Sequence, residues 1–273
     1  MKRLPLPALL ALVSICFAQP VHAVDGLSGG KVVAPVAEAL GEGEVELEGG
    51  YEFFRASKFI DATGTARPLG GRLSEQALAL RATFGAAENF ELGAAFSIFH
   101  SEDATALPAV TDTGMSDLGL GAQYVFGFSD QLAAGLRGGV SLPTSSSMSA
   151  FGGHGGVVLS ASFADVWTAD LDFEAGGTTA GRTETGNARW FLAWNAALGY
   201  SPLESLELTL EWNALHEHAP GGPTAHVHMV TPGCIWSVNE SVALTTGVSF
   251  VLPVLSRNTD QAMTFVSTVA FVQ

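Results

Sequence analysis

The chain has 273 residues, 12 of them basic and 27 acidic, with 47% hydrophobic and 14% charged residues and only two cysteines. The acidic balance excludes nucleic acid as a partner, because phosphate binding needs a basic surface. Beyond the first 23 residues no apolar run approaches the roughly 18–20 residues of a spanning helix, which excludes a helical membrane protein.

Residues 1–23 open with Lys2 and Arg3, run apolar from Leu4 to Ala18 and reach the small-residue site Val21-His22-Ala23, the pattern of a secretory signal peptide with Val24 as mature start. Ile15 before Cys16 is too large for a lipoprotein site. Cleavage removes two basic residues and no acidic one, leaving a formal charge of −17, and leaves Cys234 alone, so no intramolecular disulfide forms. Residues 24–41 lack strand rhythm and are expected as a periplasmic N-terminal segment, either a flexible lead-in or a short plug folded into an interior.

From residue 42 onward, stretches alternate apolar and polar with period two, which is strand periodicity. Twelve are read, near 42–54, 75–84, 89–100, 115–127, 131–142, 150–163, 166–177, 188–200, 204–216, 226–237, 241–253 and 261–272. In one, Leu206, Leu208, Leu210 and Trp212 oppose Glu207, Thr209, Glu211 and Asn213. Short turns (GAAE, GFSD, FADV, SPLE, SVNE) alternate with longer connections at 55–74, 101–114, 143–149, 178–187, 217–225 and 254–260. Phe84, Phe90, Phe126, Phe163, Trp167, Tyr200 and Trp236 all sit beside the short turns. An even strand count, an aromatic girdle and long loops at the other end predict an all-β fold over residues 42–273, a transmembrane antiparallel up-and-down β-barrel in a bacterial outer membrane. Closure also leaves no unpaired edge in lipid. The expected partners are the lipid bilayer, lipopolysaccharide, the outer-membrane assembly machinery and a small-molecule substrate.

Two adjacent segments, GMSDLGLGAQYVF (114–126) and LAAGLRGGVSLPTSS (132–146), resemble paired strands of the outer-membrane family labelled the MetA pathway of phenol degradation. The residues carrying the resemblance are Asp117, Leu118, Leu120, Tyr124, Leu142, Pro143 and Thr144, whereas Ser116, Gln123 and the serines after Thr144 depart from it. The resemblance implies a porin-like barrel that passes small, often aromatic or hydrophobic, compounds.

With the apolar faces turned to lipid, parity turns Glu44, Glu46, Glu48, Glu52, Glu91, Asp117, Asp170, Asp172, Glu174, Glu207 and Glu211 inward, with Arg81, Arg137 and Arg189 as basic counterparts. Such an acidic pore lining attracts cations and repels anions. Many inward positions are small, including Gly93, Ala95, Gly121 and Gly139, which leaves room for a passage. The expected function is therefore a channel or transporter for small molecules. The alternatives are a non-conducting structural barrel and an outer-membrane hydrolase. No Gly-x-Ser-x-Gly, phosphate-binding glycine loop or haem motif occurs, and no enzyme is expected.

His216, His218, His226 and His228 flank a Pro-Gly-Gly-Pro turn. Pairing 216 with 228 and 218 with 226 puts all four on one outward face at the long-loop rim. Four imidazoles there are a candidate zinc site, against the alternative of solvated rim histidines; no other cofactor is expected.

Overall fold

The computed structural model describes residues 27, 30–145, 151–179, 189–218 and 223–273. The expected signal peptide, residues 1–23, lies outside them, as do parts of the connections 143–149, 178–187 and 217–225. In chain order the strands are β1 (Val45–Ile60), β2 (Ala66–Ala87), β3 (Phe90–Asp103), β4 (Val110–Met115), β5 (Leu118–Ser129), β6 (Leu132–Leu142) and β7 (Gly152–Phe163). They continue with β8 (Trp167–Thr178), β9 (Arg189–Leu203), β10 (Leu206–His218), β11 (Ala225–Asn239), β12 (Val242–Val251) and β13 (Thr259–Val272).

Each strand pairs antiparallel with its sequence neighbours, except that β4 and β5 both pair with β3, and β1 pairs with both β2 and β13, so the sheet closes on itself. β4 and β5 are two pieces of one stave. β4 pairs with the upper part of β3, from Ile98 opposite Met115 to Asp103 opposite Val110. β5 pairs with its lower part, from Ala95 opposite Gly119 to Phe90 opposite Tyr124. The architecture is therefore a closed twelve-stave antiparallel barrel with no helix among the described residues.

The polarity is inverted relative to a water-soluble protein. On β10, Leu208 and Leu210 are 47% and 54% exposed, whereas Thr209, Glu211 and Asn213 are 6%, 1% and 1% exposed. The same holds around the wall, where Leu47, Leu80, Leu136, Val157 and Leu171 face out. An apolar exterior this continuous needs lipid around it. Near the short-turn end, Trp167 lies 6.4 Å from Phe163 and 4.7 Å from Tyr200, ring centre to ring centre, as part of the aromatic girdle.

Two expected connections take a different course. Residues 55–74 are mostly strand: β1 and β2 continue upward together and turn only at 61–65. This stretch lacks alternation because β1 shifts register between Ala56 and Lys58, while on β2 the residues between Pro68 and Leu73 bulge out. The tip requires Gly64, whose φ of +82° suits glycine and whose added Cβ would strike the Arg257 guanidinium. Residues 101–114 likewise contain the end of β3 and most of β4.

Leu210 tests the inverted polarity. Leu210→Arg is expected to destabilise the barrel folded into phospholipid vesicles by about 2–4 kcal/mol, measured by reversible denaturant unfolding. A change within the few tenths typical of a water-exposed position would contradict a lipid-facing wall.

Candidate functional site: the barrel interior

The interior begins with residues 31–41, for which a periplasmic lead-in or a plug was expected. They cross the inside of the barrel near its short-turn end. The Glu211 carboxylate accepts hydrogen bonds from three consecutive backbone amides, those of Val32 (2.6 Å), Val33 (2.9 Å) and Ala34 (2.8 Å). Lys31 Nζ donates to Glu207 (2.5 Å) and Thr168 (2.7 Å) and stands 3.6 Å from Asp170. Further along, the Ala37 amide donates to Ser160 Oγ (2.7 Å), and Gln123 Nε2 donates to the carbonyl of Glu38 (2.7 Å). The Leu40 amide reaches Glu91 (3.1 Å). The segment thus leans on β10, β8, β7, β5 and β3 in turn. Gly233 and Gly247 make room for it, since a Cβ at either would run into Val32.

Above this contact, inward polar side chains form a lateral ladder across β8 to β12. Asn195 donates to Asp172 (2.8 Å), Asn213 to Asn195 (3.0 Å) and Thr231 Oγ1 to Asn213 (3.1 Å), and Thr231 shares a hydrogen bond with Ser249 (2.8 Å). Ser160 Oγ donates to Asp170 at 2.6 Å. Arg81 pairs with Glu48, and Arg137 lies 3.4 Å from Glu174.

Glu46, Glu91, Asp170, Asp172 and Glu211 are buried on the inward face, and Glu52 lies between inward Val266 and Ala77. Glu44, expected inside, precedes β1, is exposed and accepts from the Gly41 amide (2.8 Å), because strand alternation begins only at Val45. Asp117 sits at the break between β4 and β5, where it accepts the Ser145 amide (2.8 Å). Arg189 begins β9 opposite Thr178, and its side chain lies outside the described residues. Asn213 is buried on the inward face as alternation along β10 predicts, and the inward face also takes in Gln123 and Asn195, neutral residues outside the charged set. Lys31 had no periodic signal by which to be found.

Toward the long-loop end the interior turns apolar. Ala56, Ile60, Leu73, Val227, Val251 and Ala262 form a buried cluster with Phe54, Leu69, Leu215 and Met229 against it. These residues come from β2, β1, β13, β12, β11 and β10, which are consecutive around the wall and form one continuous arc.

The histidines lie on the outer wall. The expected register is corrected: His216 pairs with His226, and Ala214 with His228. A slide of two residues keeps every side chain on its face and seats inward Leu215 opposite Val227. The Nδ1 atoms of His216 and His226 are 2.7 Å apart, and the His216 ring centre lies 5.7 Å from that of His228. Trp194 packs on His216 at 4.6 Å and Trp212 stacks on His228 at 5.7 Å. His218 stands apart, bonded to Thr224 (3.0 Å) beside Trp190. Among the described residues no three His, Cys, Asp or Glu side chains are arranged to hold a metal ion. Ser256, beside the cluster, bonds to the His228 backbone and not to an imidazole.

No protein-family model and no curated protein matches the chain. Among solved structures, the COG4313 outer membrane channel from Pseudomonas putida F1 superposes with a TM-score of 0.74 at 14% identity, over 87% of this chain and 98% of that one. The NanC porin superposes with a TM-score of 0.52 at 9% identity, over 83% and 98%. The likeness is one of fold: this chain shares the closed antiparallel barrel architecture of those two outer-membrane proteins.

Glu211 is the main anchor of the inner segment, and a charge-assisted hydrogen bond contributes about 1.5–3 kcal/mol. In a Cys234→Ala, Val33→Cys background, Glu211→Ala is expected to speed labelling of position 33 by a bilayer-impermeant maleimide at least ~10-fold, equivalent to losing one such bond. Equal labelling rates with and without Glu211 would show that the segment is held by something else.

Proposed function

We propose that the chain is an outer-membrane channel for small apolar or aromatic molecules, with residues 31–41 narrowing its interior. The observation that carries this reading is the apolar arc lining the long-loop half of the interior. A pore for sugars or ions has no use for Leu73, Val227 and Val251 packed into a closed apolar cluster at its mouth, because a solute that parts such a cluster must itself be apolar to replace the contacts it breaks. The resemblance at residues 114–126 and 132–146 supports the same substrate class.

The polar layer below bears on ions. Inward carboxylates outnumber Lys31, Arg81 and Arg137, so ions that enter meet a net negative wall. Under a potassium chloride gradient, single-channel recordings are expected to give a reversal potential of the sign that marks cation preference. A reversal potential at zero would remove that preference, and absence of any conductance would favour a structural barrel.

Substrate class is tested in proteoliposomes. Uptake of a small radiolabelled aromatic is expected to exceed that of protein-free vesicles, and Leu215→Asn with Met229→Asn is expected to slow it severalfold while leaving arabinose entry unchanged. Arabinose entering as fast as the aromatic, or an aromatic rate indifferent to the double substitution, would overturn the assignment.

A further inference from the structure

Among the described residues, basic side chains are segregated. Lys31, Arg81 and Arg137 are engaged inside. Arg55, Lys58, Arg67, Arg72 and Arg257 all lie on or beside the upper parts of β1 and β2, next to the start of β13. Three of these have partners within the chain. Arg67 pairs with Asp61 at 2.7 Å, Arg72 with Glu102 at 3.0 Å, and Arg257 donates to the carbonyls of Val254 and Ser256. The Asp61 carboxyl is held well below the usual carboxylate range, first by the Thr63 hydroxyl and then by the Thr65 and Thr63 amides and Arg67. It therefore stays ionised and keeps Arg67 occupied at neutral pH.

Arg55 and Lys58 are different. Both are exposed, and no acidic side chain stands across from them: the β13 partners are Met263 and Gln261, and the β2 partners are Ser74 and Pro68. The register shift after Ala56 decides their geometry. Unbroken alternation would put Arg55 and Lys58 on opposite faces, but with Ser57 bulged, Lys58 takes the rung after Ala56 and joins Arg55 on the outer one. The two then stand about 6.6 Å apart along the strand. Their height is also specific. From Val45 to Arg55, at about 3.3 Å per residue and a tilt of about 40°, the wall rises roughly 25 Å, the height of the apolar band of such barrels. Met263 stands beside Arg55 on the same rung, and exposed Tyr51 and Leu78 lie below.

We propose that Arg55 and Lys58 form a binding site for the phosphate groups of the outer-leaflet glycolipid, lipopolysaccharide, whose acyl chains lie on the apolar wall beneath. The site rests on the outer-membrane reading of the barrel. Guanidinium and ammonium groups at headgroup level, without carboxylate competitors, match a phosphorylated sugar above acyl chains. Continuation of β1 and β2 beyond the band carries further basic side chains up among the headgroups.

The test uses the folded barrel in neutral detergent and native mass spectrometry, with bisphosphorylated lipid A, its dephosphorylated form and inorganic phosphate as probes. Bisphosphorylated lipid A is expected to bind at least ~10-fold more tightly than the dephosphorylated form, from two basic groups near the headgroups. In the Arg55→Gln, Lys58→Gln double variant that ratio is expected to fall to about one, with heat-modifiable migration on gels showing that the variant still folds. Equal binding of the two lipids, an unchanged ratio in the variant, or inorganic phosphate competing as well as the lipid would overturn the site. Failure of the wild-type barrel to insert into bilayers would instead remove the outer-membrane reading.

Discussion

Every backbone amide and carbonyl inside a lipid slab needs a partner, and this chain meets that constraint by pairing β1 with β13. Where the ladder is interrupted, side chains take over. At the break between β4 and β5, Ser116 Oγ accepts the Ser97 amide (2.7 Å), and the Ser116 amide donates to the Ser97 carbonyl (2.8 Å). Thr144 Oγ1 accepts the Leu118 amide (2.8 Å), and Asp117 accepts that of Ser145. Asp117 and Thr144, two carriers of the family resemblance, thus close hydrogen-bond gaps in the wall. Ser116, a departure from the family pattern, takes part in the same gap closure.

Closure also dictates the inside. Once apolar side chains occupy the lipid face, alternation sends the polar ones inward, where a carboxylate without a partner is costly. The chain supplies partners from a segment distant in sequence. Glu211 takes three amides, Glu207 takes Lys31 and Glu91 takes the Leu40 amide. Glu211, Glu207 and Glu91 thus hold the inner segment in place.

The wall was legible because period-two alternation is a local property: Leu208, Leu210 and Trp212 declare one face of β10 without reference to any other strand. Residues 61–72 (DATGTARPLGGR) read as loop because their bulges and tight turn break that period, although both flanks remain paired. Residues 31–41 were not legible for a different reason. KVVAPVAEALG has no period, and its partners lie on five separate strands, so its position follows only from the assembled barrel. The histidine faces were legible from parity, whereas their register was not, since a slide of two residues leaves every face unchanged.

The inner segment also reconciles the two layers of the interior. An apolar solute leaving the arc of Leu73, Val227 and Val251 would meet the polar layer next, where bare carboxylates would stop it. The segment turns its backbone amides toward those carboxylates. Its own side chains there are Val32, Val33, Ala34, Val36 and Ala37, all buried, and Val32 and Val33 pack with Val266 of β13. One short stretch thereby answers the acidic groups with peptide N–H and brings apolar surface into the polar layer. In the proposed passage, displacing residues 31–41 widens the bore but uncovers the carboxylates. On that proposal, the contacts that narrow the bore and those that decide which solute follows its wall are the same.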